Sequence, residues 1–161
     1  MTSTTTSRSV VHDTFTLERT YDASPARVFA AFADQEAKRL WFGDPDGWSV
    51  EVWDMDFRVG GHELNRATLT DGPAMTFEAI YLDIVQDERI VYSYQMEMGG
   101  ERISVSLSTI ELFTAGAGTR LVMTEQGAFL DGHDKPEGRK EGTEGLLDAL
   151  GASLTKDIPS A

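Results

Sequence analysis

Glu125, Tyr81, Tyr92 and Tyr94 are the residues of this chain whose types and spacing could do chemistry. Each continues an apolar series at every second position: Phe77-Ala79-Tyr81, Tyr92-Tyr94-Met96 and Leu121-Met123-Glu125. If that parity marks the inner face of a sheet, all four side chains point inward. A carboxyl carried inside has its acid form favoured by desolvation, which suits it to general acid or base work. The same arrangement also describes a small-molecule pocket, apolar with a few polar groups. Buried tyrosines usually hydrogen-bond and stay structural, so a catalytic carboxylate is the narrower of the two readings.

Other chemical constellations are weak. His12, His62 and His133 are far apart, and His133 lies between Asp131 and Asp134 in a loop-like stretch. That spacing does not resemble a metal-ligand set, and no metal or other cofactor is expected. There is no phosphate loop, dinucleotide fingerprint or nucleophile elbow. The chain has no cysteine, which excludes disulfides, thiolate catalysis and thiolate-bound metals.

The elements that must position these residues are mostly strands. Phe15, Leu17 and Tyr21 alternate with polar residues, and Arg19 interrupts the series, as near a sheet edge. Ser24-Pro25 starts a helix through Val28, Phe29 and Phe32, with Ser as N-cap and Pro at the first helical position. Asp34 caps a second short helix running toward Trp41. Trp48, Val50 and Val52 then alternate, but Trp53, Met55 and Phe57 continue on the other parity, which implies a bulge. Gly60-Gly61, Asp71-Gly72, Asp87-Glu88, Gly99-Gly100 and Gly116-Ala117-Gly118 punctuate a meander of further strands. On the same parity rule Ile103, Val105 and Leu107 face inward, with a shift before Ile110 and Leu112. Trp41, Phe42 and Trp48 flank the Asp44-Pro45-Asp46-Gly47 loop, which suits core packing or the mouth of a pocket.

Asp134 and Glu137 read as a capping box opening the last helix. Leu146, Leu147, Leu150 and Leu154 form its apolar face. Gly138, Gly142, Gly145, Ala149 and Ala152 form a stripe beside it, at helical spacing. Glycine inside a helix costs roughly 0.5–1 kcal/mol against alanine. Close approach to a neighbouring element would offset that cost; alternatively, the stripe leaves room for a ligand.

At 161 residues, 40% hydrophobic, the chain fits one core: a disordered tail over residues 1–11 and a single domain over 12–157. The net charge of -13 opposes binding to nucleic acid or anionic membranes. No signal segment or membrane-length apolar run is present, so a cytoplasmic setting is expected.

Set in order, Ser24-Pro25-Ala26-Arg27-Val28-Phe29, Trp41-Phe42, Gly60-Gly61, Asp87-Glu88-Arg89-Ile90-Val91-Tyr92, Gly118-Thr119-Arg120-Leu121 and the Leu-rich last helix resemble the SRPBCC (START-like) superfamily. The match is to the branch named for the activator of heat-shock-protein-90 ATPase. The resemblance spans roughly Phe15 to Leu154. It implies an α+β helix-grip fold: a seven-stranded curved antiparallel sheet around a long C-terminal helix, with two short helices after strand one. Alignment with the family turns Glu63, Asn65 and Ala67 inward. It also sets Gly142-Thr143 where many members carry Gly-Trp, a loss of bulk that would enlarge a cavity.

The ligand-facing set is therefore Trp41, Phe42, Glu63, Asn65, Phe77, Tyr81, Tyr92, Tyr94, Met123, Glu125, Gly142, Gly145, Leu146 and Ala149. Glu63 and Glu125 are the candidate catalytic groups. The leading function is binding of a small hydrophobic or amphipathic molecule, without catalysis. An enzyme, such as a cyclase, dehydratase or hydrolase acting on a polyketide-like or aromatic compound, is the first alternative. A co-chaperone-like interaction module is the second. A homodimer and a chaperone partner both stay open.

Overall fold

The computed structural model describes residues 7–43 and 48–158. The start of the expected tail and the Asp44–Gly47 loop at the suggested pocket mouth lie outside these residues. Strand β1 (Val10–Tyr21) leads into helices α1 (Pro25–Ala33) and α2 (Gln35–Lys38). Six strands follow: β2 (Trp48–Met55), β3 (His62–Leu69), β4 (Ala74–Val85), β5 (Arg89–Met98), β6 (Glu101–Ala115) and β7 (Gly118–Leu130). Helix α3 (Pro136–Ser153) ends the fold. The strands make one 7-stranded antiparallel sheet in the order β1-β7-β6-β5-β4-β3-β2. This is the helix-grip α+β architecture.

Local chemistry explains most boundaries. Ser24 Oγ accepts from the Arg27 amide at 3.2 Å, and Pro25 opens α1. The Asp34 carboxylate accepts from the amides of Glu36 and Ala37, capping α2. The β5–β6 hairpin turns on Gly99 and Gly100, at φ 60° and 84°, a conformation glycine adopts without steric cost. The expected bulge in β2 is present, but it falls between Val50 and Val52, just ahead of the expected change of phase after Val52.

Three expectations are corrected. Strand β1 begins at Val10, which pairs with Leu130, so Val10 and Val11 belong to the sheet rather than the tail. Both are more than half exposed, which is why no apolar alternation marks them. At α3, Lys135 is the N-cap and Pro136 opens the helix; no capping box forms, because Asp134 turns its carboxylate to the Lys135 amide and to Arg139. In β6, Ser104, Ser106 and Ser108 point inward with Ile110 and Leu112, whereas Val105 is 44% exposed. The register against β5 shifts between Met96 and Glu97, opposite Ile103, and this irregularity reverses the parity earlier than the residue types suggest.

The core joins α1, the end of α3 and the inner face of β1, β6 and β7, around Val28, Phe32, Trp41, Ile110, Leu121 and Leu150. Helix α3 has two different halves. Its C-terminal half packs: Tyr21 Oη donates to the Leu147 carbonyl at 2.7 Å, and a Cβ on Gly151 would lie 2.9 Å from Tyr21 Cε1. Its N-terminal half does not: a Cβ on Gly142 or Gly145 would meet nothing within 4 Å. The close approach expected of the glycine stripe therefore belongs to Gly151, outside the stripe. Gly142→Ala and Gly145→Ala should each stabilise the protein by roughly 0.5–1 kcal/mol in urea unfolding. Gly151→Ala should instead destabilise it by about 1–3 kcal/mol, as overpacking does.

Candidate ligand cavity

Because only the second half of α3 sits down on the sheet, space remains under the first half. It forms a cavity of about 690 Å³, within the usual range for small-molecule sites. Its walls come from β2 to β7, the chain after α2 and the start of α3. Trp48, Trp53, Phe42, Phe77 and Tyr92 supply aromatic faces, and Met75, Met96, Met98 and Met123 supply flexible thioethers. The rings of Phe77 and Tyr94 lie 5.0 Å apart, and those of Phe42 and Phe77 5.1 Å apart, so one wall is continuous aromatic surface. Methionines adapt their shape at little cost, which favours tolerance over a rigid fit.

One end of the cavity is polar. Glu125 is 1% exposed and lines the space. Its Oε1 accepts from Tyr94 Oη at 2.6 Å and from Ser108 Oγ at 2.9 Å. Its Oε2 has no hydrogen-bond partner among the described residues. Arg139, from the first turns of α3, donates to Tyr94 Oη at 3.0 Å, to Ser104 Oγ at 2.8 Å and to Asp134 Oδ2 at 2.8 Å. Tyr94 thus accepts from the guanidinium and donates to the carboxylate, a relay from helix to sheet. Burial would lower the Arg139 pKa, but its interactions with Tyr94, Glu125 and Asp134 outweigh it and raise it, so this cation stays charged.

Glu63 has a different setting. It is fully buried, and its carboxylate is saturated: Oε1 accepts from Lys38 Nζ at 2.7 Å and from Tyr81 Oη, and Oε2 from Trp53 Nε1 at 3.1 Å. Lys38 Nζ also lies 4.5 Å from the centre of the Phe42 ring. The cluster sits behind the aromatic wall, tying α2 to β2, β3 and β4.

Of the residues expected to face a ligand, Phe42, Asn65, Phe77, Tyr92, Tyr94, Met123, Glu125, Gly142 and Leu146 line the cavity. Trp41, Glu63, Tyr81, Gly145 and Ala149 do not. Trp41 is 4% exposed and donates to the Ala31 carbonyl at 2.9 Å, so it packs the helices together. Tyr81 is occupied by Glu63, Gly145 is exposed, and Ala149 packs on the core. Sequence reasoning missed Arg139, Ser104, Ser108 and Lys38. A signal existed for Arg139: with Thr143, Leu147 and Leu150 it falls at helical spacing on the buried face of α3. The serines were hidden by alternation with Val105 and Leu107, which drew the apolar parity to the wrong face.

Every tyrosine of the chain has a pKa raised above its ordinary value of 10: Tyr21, Tyr81, Tyr92 and Tyr94. Burial is the main cause in each, reinforced by Glu63 at Tyr81 and by Glu125 at Tyr92 and Tyr94. The folded state then holds its phenolic protons where the unfolded state loses them. This stabilisation is complete below about pH 10 and falls away as pH rises beyond it. Ultraviolet absorbance should therefore show no tyrosinate in the native protein near pH 10, and all four phenolates appearing together on alkaline unfolding. A tyrosine titrating normally in the folded protein would contradict this.

A family model described as activator of Hsp90 ATPase homolog 1-like protein matches residues 22–155. A crystal structure of a protein from Rhizobium loti is 53% identical, with a TM-score of 0.84, covering 90% of this chain and 99% of that one. An uncharacterised protein from Rhizobium leguminosarum is 43% identical, with a TM-score of 0.89, covering 94% and 100%. A solution structure of an AHSA1-like protein from Aeromonas hydrophila is similar in fold at 15% identity, with a TM-score of 0.67, covering 89% and 92%. No curated protein matches the chain significantly.

Proposed function

The chain belongs to the family of activator of Hsp90 ATPase homolog 1-like proteins, and from that premise we propose that it binds a small hydrophobic or amphipathic molecule between the sheet and α3. The observation that carries this reading is the cavity of about 690 Å³ with an aromatic and methionine wall and one polar end. Helix α3 leaves it open at a cost: Gly138 and Gly142 weaken the helix where it crosses the cavity, and neither is needed for packing. Native mass spectrometry of freshly purified protein tests the reading. A discrete bound mass, or stoichiometric uptake of an added apolar dye, is the expected result. Bare protein that takes up no dye would overturn it.

A second reading has one specific observation in its favour. Glu125 is buried, bonded to a tyrosine and borders open space, the setting in which a carboxyl could move a proton to or from a bound substrate. Glu63 offers no such opportunity, since both its oxygens are taken. Catalysis would thus centre on Glu125, and a Glu125→Gln variant would lose turnover even at saturating substrate.

A further inference from the structure

We propose that the cavity selects ligands whose polar head donates a hydrogen bond, such as a neutral hydroxyl or phenol, and discriminates against carboxylates and heads that only accept. This deepens the ligand-binding reading and rests on it.

The argument starts from the unequal oxygens of Glu125. Oε1 receives two hydroxyl donors, from Tyr94 and Ser108. Oε2 receives none among the described residues and lies just beneath the cavity surface, so a ligand donor reaches it by a small shift of the Glu125 side chain. Leaving a buried acceptor unsatisfied is costly, more so for a charged group, and a ligand that supplies the missing donor recovers that cost. Neighbouring protein groups are poorly placed to do so. Arg139 lines this end of the cavity, yet its guanidinium is engaged by Tyr94, Ser104 and Asp134. Arg39, the other arginine on the cavity wall, is held by Glu36 and the Trp53 ring. An anionic head therefore meets the Glu125 and Asp134 carboxylates with both arginines already engaged. An acceptor-only head leaves Oε2 as it was. A hydroxyl completes it, while its apolar body lies along Phe77, Tyr92 and the methionines.

Four matched probes separate the outcomes: naphthalene, 2-naphthol, 2-methoxynaphthalene and 2-naphthoate, titrated by calorimetry or fluorescence. In the wild type, 2-naphthol should bind roughly tenfold or more tightly than 2-methoxynaphthalene, the scale of one hydrogen bond to a charged group. The 2-naphthoate should bind weakest. Glu125→Gln should erase the preference for 2-naphthol. Tyr94 must still donate, since it accepts from Arg139, so the amide oxygen takes the place of Oε1 and the NH₂ takes that of Oε2, becoming a donor. Phenol and ether oxygens both accept from that NH₂, so the variant should bind 2-naphthol and 2-methoxynaphthalene about equally. If all four bind equally in the wild type, or 2-methoxynaphthalene is preferred there, the selectivity inference fails while the cavity reading stands. If none binds, both fail together. If Glu125→Gln leaves the preference for 2-naphthol intact, another group reads the head and the assignment to Glu125 is wrong.

Discussion

Lys38→Met should destabilise the protein by about 3–5 kcal/mol, a large share of a typical domain's stability, as a shift in the midpoint of urea unfolding. The pair it breaks is 2.7 Å long, with side-chain exposures of 7% and 0%. Glu63 would keep its hydrogen bonds from Tyr81 and Trp53 but lose its counter-charge where no water can replace it. The penalty is thus mainly an unpaired buried charge. Adding Glu63→Gln removes that charge while its oxygen still accepts from Trp53 and its NH₂ can donate to the Tyr81 oxygen, so the double variant should regain most of the loss. A single variant costing under about 1 kcal/mol would mean that water reaches the pair, since exposed pairs are worth that little. A double variant no better than the single would assign the loss to α2 packing instead.

Thr143→Trp should abolish ligand uptake, lowering affinity by at least about 100-fold, without unfolding the protein. Thr143 is 6% exposed, lines the cavity and hydrogen-bonds only within its helix, to the Arg139 carbonyl at 2.8 Å. Among the described residues, no group on the sheet hydrogen-bonds to its side chain. An indole at this place would project from α3 into the cavity and bury its surface against the aromatic wall. Burial of that kind is worth about 1.5–3 kcal/mol, so stability should hold or rise. Dye binding and thermal unfolding, measured on one preparation, check both halves of the expectation. Undiminished dye uptake would mean that the ligand sits elsewhere. The departure from the Gly-Trp pattern at Gly142-Thr143 would then have no bearing on ligand space.

Much of the architecture was legible in the sequence because its causes are local. The Ser24-Pro25 and Asp34 helix starts, the β3 boundaries and the bulge at Val50 and Val52 each follow from a few neighbouring residues. Arg19 correctly marked an edge strand, since β1 ends the sheet. The failures share another cause. Parity carries a reading along a strand only while pairing stays regular, and the irregularity opposite Ile103 turned three serines inward. A capping box at Asp134 looked sound from spacing, yet Arg139 competes for the same carboxylate across one helical turn.

The chain by itself determined the order of strands and helices, their turns, and the presence of a helix too small-sided to fill the space beneath it. These are properties of neighbours in sequence: dihedral preference, alternation and helical spacing. Only the tertiary structure decided which polar groups meet. Glu63 and Lys38 are 25 residues apart, Glu125 and Tyr94 are 31, and Arg139 and Tyr94 are 45. Glu63 and Glu125 look alike in sequence, each an acidic residue on an inward parity. Folding gives one a lysine, a tyrosine and a tryptophan, and leaves the other an unpaired oxygen at the edge of a cavity. Donors from α2, β2 and β4 satisfy the first carboxylate, those from β5 and β6 leave the second unfinished, and no local pattern encodes that difference.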